Sequence, residues 1–411
     1  MGVRTREPAR APSRRVLGNR EFRAIFASYA LSILGDQVAR IAVSLLVFDR
    51  SGSALAATAT FAVSFVPSVV GGPFLTVLSD RLPRRTVMVV CDVVRAALVL
   101  LLALPAVPLP LAFALLLLVG LLEPPFQSSR GAVLPDVLSG EDYPVGSGLL
   151  QIVGQAGQVL GYLAGGGLVA LTSIRGALAL DAATFAVSAG VLLAGLRSRP
   201  GAIAGAERRS LIAETREGAR FVLGNARLRR LLGLALLGAV VMIVPEGLAV
   251  PVAASLGGGP AVAGVLTAAV PAGFVLGSVL LLRLPLERRG RLLGPLLPVS
   301  CLPLLLTPLT SSVPLVTGLW VLAGAAAALQ IVANAGYVEA IPPELRGRAF
   351  GVALTSLYAV QGLAVLLGGA VADLLDDPRL TVAVLAAAAL LVGLPLGLRP
   401  AAAQDQDGLV R

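Results

Sequence analysis

The chain carries twelve long apolar runs in succession, and almost nothing else about it is free to vary. They are Phe22–Phe48, Leu55–Leu78, Thr86–Leu104, Leu109–Ala132, Val145–Leu171, Gly176–Leu196, Leu231–Ala253, Ala261–Leu282, Leu292–Leu309, Val313–Ala340, Phe350–Leu374 and Leu380–Leu398. A helix of about 20 apolar residues crosses the hydrocarbon core of a bilayer. Backbone polar groups in that core must be satisfied within the spanning structure, so runs of this length read as helices. Hydrophobic residues make up 56% of the 411 residues and charged residues 14%, with a mean hydropathy of +0.88. Soluble domains carry roughly 25% charged residues, so this chain cannot hide its apolar surface in a soluble core. The expected class is an all-α membrane protein with twelve transmembrane helices.

Arginine placement orients the spans. The sequence has 33 basic residues, all of them arginine. With the N-terminus inside, 28 of them fall on cytoplasmic segments, while Arg50, Arg175 and Arg379 fall on outer loops and Arg40 and Arg95 lie within spans. Arginine-rich short loops resist translocation, so both termini are expected in the cytoplasm. The organisation that follows is a cytoplasmic tail (1–21), a six-helix bundle (22–196), a cytoplasmic linker (197–230), a second six-helix bundle (231–398) and a short tail (399–411). In the linker, Arg209, Arg216, Arg220 and Arg227 recur at helical spacing opposite Leu211, Thr215 and Val222. This suits an amphipathic helix on the anionic inner leaflet, or a solvated linker helix.

The two bundles repeat one another. Leu134-Pro135-Asp136 returns as Ile341-Pro342-Pro343-Glu344, Gly72 as Gly277, and Leu82-Pro83 before Arg84-Arg85 as Leu284-Pro285 before Arg288-Arg289. Repeated six-helix units about a central axis are one transporter architecture.

Several chemistries are excluded. The sequence has no histidine, which removes imidazole acid–base catalysis and histidine metal ligands. Two cysteines, Cys91 and Cys301, are too few for a disulfide framework or a zinc site. No lysine is present for a phosphate-binding loop, so ATP-driven transport is disfavoured. The +10 net charge is not gathered on a soluble domain, and nucleic acid is not an expected partner. No enzymatic activity, cofactor, metal or obligate protein partner is expected.

Gly72, followed eight residues on by Asp80-Arg81 and then by Arg84-Arg85, resembles the signature loop of the major facilitator superfamily. A glycine permits close helix approach, and an aspartate at a helix boundary can pair with arginines or a helix N-terminus. The resemblance implies a cytoplasmic gate latch; the family's glycine between the two charged pairs is Pro83 here. Gly148, Gly157, Gly161, Gly165 and Gly166 in span five resemble the glycine pattern of the superfamily's drug/proton antiporters, with Tyr162 where that pattern has proline. Ser32 to Gln37, Leu45 to Ser53, Ser129 to Asp136 and Asp181 to Phe185 are similar to the siderophore and macrolide efflux branch. The resemblance implies two pseudo-symmetric six-helix bundles in the bacterial cytoplasmic (inner) membrane, working by alternating access.

Charges inside spans need a reason, since each costs at least about 2.5–3.5 kcal/mol at the bilayer centre. Asp36 and Arg40, one turn apart in span one, face the same way and can neutralise each other. Asp36 then acts either as a proton site that holds or releases Arg40 or as half of a permanent structural ion pair. Asp92 and Arg95 in span three are assigned to a gate network with Asp80, Arg130 and Asp136. Glu123 and Glu246, beside prolines in spans four and seven, are coupling-proton candidates, although Glu246 also fits the outer interface. Gln127, Gln330 and Asn334 place polar groups at equivalent depths of the two repeats, as a midplane site would. Asp181 is assigned a structural role. The expected function is export of a small amphipathic or anionic molecule (a drug, siderophore or secondary metabolite) by proton antiport, with protons and lipid as partners. A proton-coupled uptake permease and a non-transporting receptor or scaffold on the same fold are the other readings.

Overall fold

The computed structural model of the chain describes residues 12–71, 82–105, 107–199, 211–285, 288–289, 299–342 and 345–398. Within them the sequence forms sixteen α-helices: α1 (Pro12–Gly18), α2 (Arg20–Ser51), α3 (Ala54–Val63), α4 (Arg84–Leu102), α5 (Leu109–Leu121), α6 (Glu123–Val137), α7 (Asp142–Leu171), α8 (Ile174–Gly195), α9 (Leu211–Gly224), α10 (Ala226–Ser255), α11 (Pro260–Leu282), α12 (Leu302–Leu305), α13 (Val313–Ala327), α14 (Gln330–Glu339), α15 (Arg346–Leu375) and α16 (Pro378–Leu398). No strand occurs among the described residues. Starts are set by ordinary caps: Asn19, Ser53, Ser173 and Asn225 each accept backbone N–H bonds from the first turn that follows. Gly52, with φ 65°, ends α2 and allows the chain to turn straight into α3.

Among the described residues, eight segments are long and apolar enough to cross a membrane, α5–α6 and α13–α14 each counting as one. The two other long helices fall short through composition. α4 holds Arg84, Arg85, Asp92 and Arg95 within 19 residues, and α7 is rich in glycine and glutamine. Most of the ninth apolar run lies outside the described residues, and so do Gly72, Asp80 and Arg81 of the signature loop and Arg209 of the linker.

The helices of each half of the sequence pack mainly on one another. α2 lies against α7 and α8, and α4 against α8; in the second half α11 lies against α13, and α10 against α11, α15 and α16. The halves meet along two seams, α7 on α11 and α3 on α15. Lipid is as apolar as leucine, so close packing rather than water exclusion holds such seams. Glycine supplies the closeness. A Cβ at Gly166 would run into the backbone of Pro260 and Gly264, and one at Gly264 into the backbone of Tyr162 and Gly166. At the other seam Gly369 sits against the Leu55 backbone and the Thr58 side chain.

The two ends of the molecule differ in charge. One end gathers ion pairs of Arg15 with Asp142, Arg199 with Glu21, Arg84 with Asp136 and Arg348 with Glu217, at 2.5–2.6 Å. At the other end Arg50 donates to the Val107 carbonyl, and Arg379 to the Ser311 hydroxyl. α9 docks on the arginine-rich end. Val222 is buried with Leu228, Tyr337, Ile341 and Ala349, while Arg216, Arg220 and Arg227 stay exposed. The linker helix thus has a protein-facing side as well as a basic outer one.

Candidate functional site

One face of α7 defines a cleft. Gln151, Gln155, Tyr162 and Gly166 fall on one side of the helix at i, i+4, i+11 and i+15. Tyr162 and Gly166 are buried against the other half, whereas Gln151 and Gln155, toward the arginine-rich end, are exposed. α15 repeats the pattern. Gly369 touches α3, Phe65 and Tyr358 stack across the seam at 6.1 Å, and Gly351 and Thr355 nearer the arginine-rich end are exposed. The halves therefore part toward the arginine-rich end and close at the other.

Closure uses a cap supplied from across the seam. Asp373 of α15 accepts from the Ser53 hydroxyl at 2.6 Å and from the backbone N–H groups of Ala54 and Leu55 at 2.6 and 3.2 Å. A carboxylate at the N-terminus of α3 satisfies donors that the helix itself leaves open. Asp373→Ala is expected to weaken closure by about 1–2 kcal/mol. The reporter is Thr58→Cys at the same seam, whose labelling by a membrane-impermeant maleimide should rise about tenfold, the population change that 1.4 kcal/mol brings. Unchanged labelling would remove the cap from the gate.

The fourth and tenth apolar runs are both broken at their polar residues. α5 ends at Leu121 and α6 begins at Glu123, where Pro124 and Pro125 cannot donate to the preceding turn. α13 ends at Ala327 and α14 begins at Gln330. Glu123 is exposed in the interior, and Gln127 donates to its carboxylate at 3.4 Å. The equivalents in the second half are not arranged alike. Gln330 donates to the Ala235 carbonyl of α10 at 3.0 Å, and Asn334 lines an apolar groove with Leu232, Tyr337 and Phe350.

Beside the cleft lies a cavity of about 110 Å³ inside the first half, lined by Asp36, Gln37, Arg40, Arg95, Glu123 and Asp181 among others. It departs from the sequence reading in three ways. No ion pair within 4.0 Å joins Asp36 to Arg40; Arg40 instead turns to the Tyr162 hydroxyl at 3.4 Å and lies over the Phe61 ring. Arg95 stands in this cavity rather than with the Arg84–Asp136 pair, its guanidinium 5.3 Å from the Phe185 ring centre and 5.9 Å from that of Phe126. Asp181 lines the same cavity, with one carboxylate oxygen making no hydrogen bond. Asp92 is bound by the Ser188 hydroxyl at 2.5 Å, which also meets Ser28. The cause is helix rotation: α4 turns both Asp92 and Arg95 onto α8 and α2, which spacing along α4 alone could not fix.

The remaining residues that the sequence assigns to a gate stay near the arginine-rich end. Arg84 holds Asp136 and also donates to the Ala132 carbonyl at 2.8 Å, Arg85 is half-buried, and Arg130 packs 3.7 Å over the Tyr29 ring. In the glycine pattern, Gly157, Gly161 and Gly165 press α7 onto Ile33, Gln37 and Val38 of α2, Gly166 presses it onto α11, and Gly148 faces open space. Glu246 does not reach an outer interface. It is 3% exposed in α10 and accepts from the Tyr162 hydroxyl at 3.1 Å. In the sequence Tyr162 stands out only as a departure from a glycine pattern, and that departure is the signal for its contact.

Two groups of packed helices, meeting at glycine seams and carrying apolar segments long enough to cross a bilayer, define a multi-pass membrane protein. Residues 25–250 match the profile of the Major Facilitator Superfamily, and the chain belongs to that family. It is 27% identical over 185 residues to the uncharacterized MFS-type transporter YkuC of Bacillus subtilis, a match covering 44% of this chain and 43% of that protein. Over 77 residues it is 30% identical to macrolide efflux protein A of Streptococcus pyogenes, covering 19% of each. Solved transporters share the fold at low identity. The nucleoside transporter NupG aligns at a TM-score of 0.74 with 15% identity, covering 91% of this chain and 98% of the other. A bacterial homologue of the lysosomal transporter Spinster, in an inward-facing unoccupied conformation, aligns at 0.66 with 15% identity, covering 95% and 96%.

Proposed function

We propose that the protein is a twelve-span secondary transporter of the bacterial inner membrane that exports an amphipathic molecule in exchange for protons. The arginine-rich end faces the cytoplasm, in keeping with the bias that orients short loops. The cleft is then open to the cytoplasm, where an exporter collects its substrate.

The observation that carries the exchange is the surplus of carboxylates. Among the described residues, Asp36, Glu123 and Asp181 line one cavity with Arg40 and Arg95 as its cations, and both arginines are engaged, by Tyr162 and by two aromatic rings. Charge of one sign inside the spans needs neutralising, so the set balances by taking up protons or a cationic group. A proton and a cationic substrate that compete for Glu123 cannot occupy it together, and competition of that kind is what exchange requires. The substrate class is therefore an amphipathic molecule with a cationic group rather than an anion. The macrolide efflux relative and the glycine pattern of α7 support the export direction.

The reading is tested with Gln155→Cys, at an exposed site of the cleft, since both native cysteines are buried. An impermeant maleimide should label it in inside-out vesicles and not in right-side-out ones, and an acidic vesicle lumen should alter the labelling rate. Labelling from the outer side at rest, or a rate indifferent to the gradient, would contradict the proposed orientation and coupling.

A further inference from the structure

Arg40, Tyr162 and Glu246 lie at one depth. Each stands twenty residues into its helix, counted from Arg20, Asp142 and Ala226. Arg40 and Tyr162 belong to the first half and Glu246 to the second, so the chain of hydrogen bonds crosses between the halves. Arg40 donates to the Tyr162 hydroxyl at 3.4 Å, and that hydroxyl donates to Glu246 at 3.1 Å. Tyr162 is fully buried, and its neighbours in α7 are the glycines that let the helix reach both partners. Gly161 abuts the Leu34 carbonyl and Gln37 of α2, and Gly166 abuts Gly264 of α11. Among the described residues, Asp36 and Glu123 also act electrostatically on Arg40 from the cavity side, and Gln158 on the same face of α7 bonds Tyr162.

We propose that Tyr162 is the pin of a latch that holds the arginine-poor end shut: its hydroxyl ties Arg40 of one half to Glu246 of the other, and the tie must break when the cleft opens on that side. A proline at this position would kink α7 but could bond neither partner. Tyrosine gives up the kink and supplies a contact that exists only in the closed arrangement. Glu246 then serves as the countercharge of Arg40 in a gate, which takes it out of the proton pathway and leaves Asp36 and Glu123 as the proton candidates. Arg40 belongs to both the cavity and the latch, so occupancy of the cavity and closure of the seam are sensed by the same guanidinium. The proposal rests on the transporter reading only in requiring that the halves separate at this end.

The test needs no substrate. Spin labels on Arg175→Cys and Leu309→Cys, both exposed near the arginine-poor end and on opposite halves, report its opening as a distance distribution. Cys91 and Cys301 are replaced by alanine. Tyr162→Phe removes one oxygen and keeps the ring. It should raise the ratio of long to short distances about tenfold, as loss of a hydrogen bond to a charged group does. Glu246→Gln should act in the same direction, and the double variant should add little to either single change, because one chain of bonds is cut in each case. Thermal unfolding of each variant checks that the fold is retained. Distances unmoved by Tyr162→Phe, or effects of the two changes that simply add, would overturn the latch. If distances shift as expected but no compound is ever exported, the transport reading fails and the latch stands.

Discussion

Gly166→Leu is expected to reduce the proposed export by about a hundredfold or more while the chain still inserts and folds. A side chain there meets only backbone, the Pro260 carbonyl and the Cα and N of Gly264, and backbone cannot swing aside. Overpacking costs about 1–3 kcal/mol where side chains can adjust and more where they cannot. The wedge acts on the arrangement in which α7 and α11 touch, so the arginine-poor end is held apart and the cycle stalls. About 2.7 kcal/mol of bias against the closed arrangement is a hundredfold change in population. Gly167, the next residue along, has nothing within 4 Å of its Cβ position, and Gly148 of the same pattern is equally open. Leucine at either should be tolerated within about threefold, a spread of ~0.7 kcal/mol. Transport rates in vesicles, normalised to inserted protein, read all three. Equal losses at Gly166 and Gly167 would mean that α7 tolerates no bulk anywhere and that the seam has no special part.

Arg95→Ala is expected to cost about 3–5 kcal/mol of stability, the range for removing one partner of a buried charged set. Arg95 is 3% exposed and acts electrostatically on Asp36, Asp92 and Asp181 at once. Without it three carboxylates face one another with no shared cation. Adding Asp92→Asn should recover a large part of the loss, because the carboxylate bound by Ser188 is then neutral. Chemical unfolding in detergent measures both variants. A loss below about 1 kcal/mol, typical of exposed pairs, would show that Arg95 is not the cation of this cluster.

The eight crossing segments found among the described residues were legible in the sequence because each is a local property of about twenty residues. The close-packing glycines of α7 and the matched polar positions of the fourth and tenth runs were likewise visible from spacing or repeat symmetry, whereas the pairing of Arg84 with Asp136 was not. What stayed hidden depends on rotation and on partners from distant helices. Asp36 and Arg40 share a helix face, yet α7 presents Tyr162 to Arg40 and takes the arginine away. Asp92 and Arg95 looked like gate residues because of their neighbourhood in the chain, and α8 draws them inward with Ser188 and Phe185. Asp373 gave no sign at all. Its acceptors are used by residues 318 to 320 positions away in sequence, a contact that no local pattern encodes. Gln330 and Asn334 match Glu123 and Gln127 in register but not in role, since Gln330 is engaged by the α10 backbone.

Exchange of protons for a cationic amphipathic molecule can be followed in inside-out vesicles with an acidified lumen. A pH-sensitive dye follows the gradient while a panel of amphipathic amines, siderophores and organic acids is added, with Asp36→Asn and Glu123→Gln at matched expression. The account predicts that some of the amines, and not the organic acids, dissipate the gradient with the unaltered protein, and that Glu123→Gln abolishes the effect. Dissipation by the organic acids alone, or by amines equally well through both variants, would contradict it.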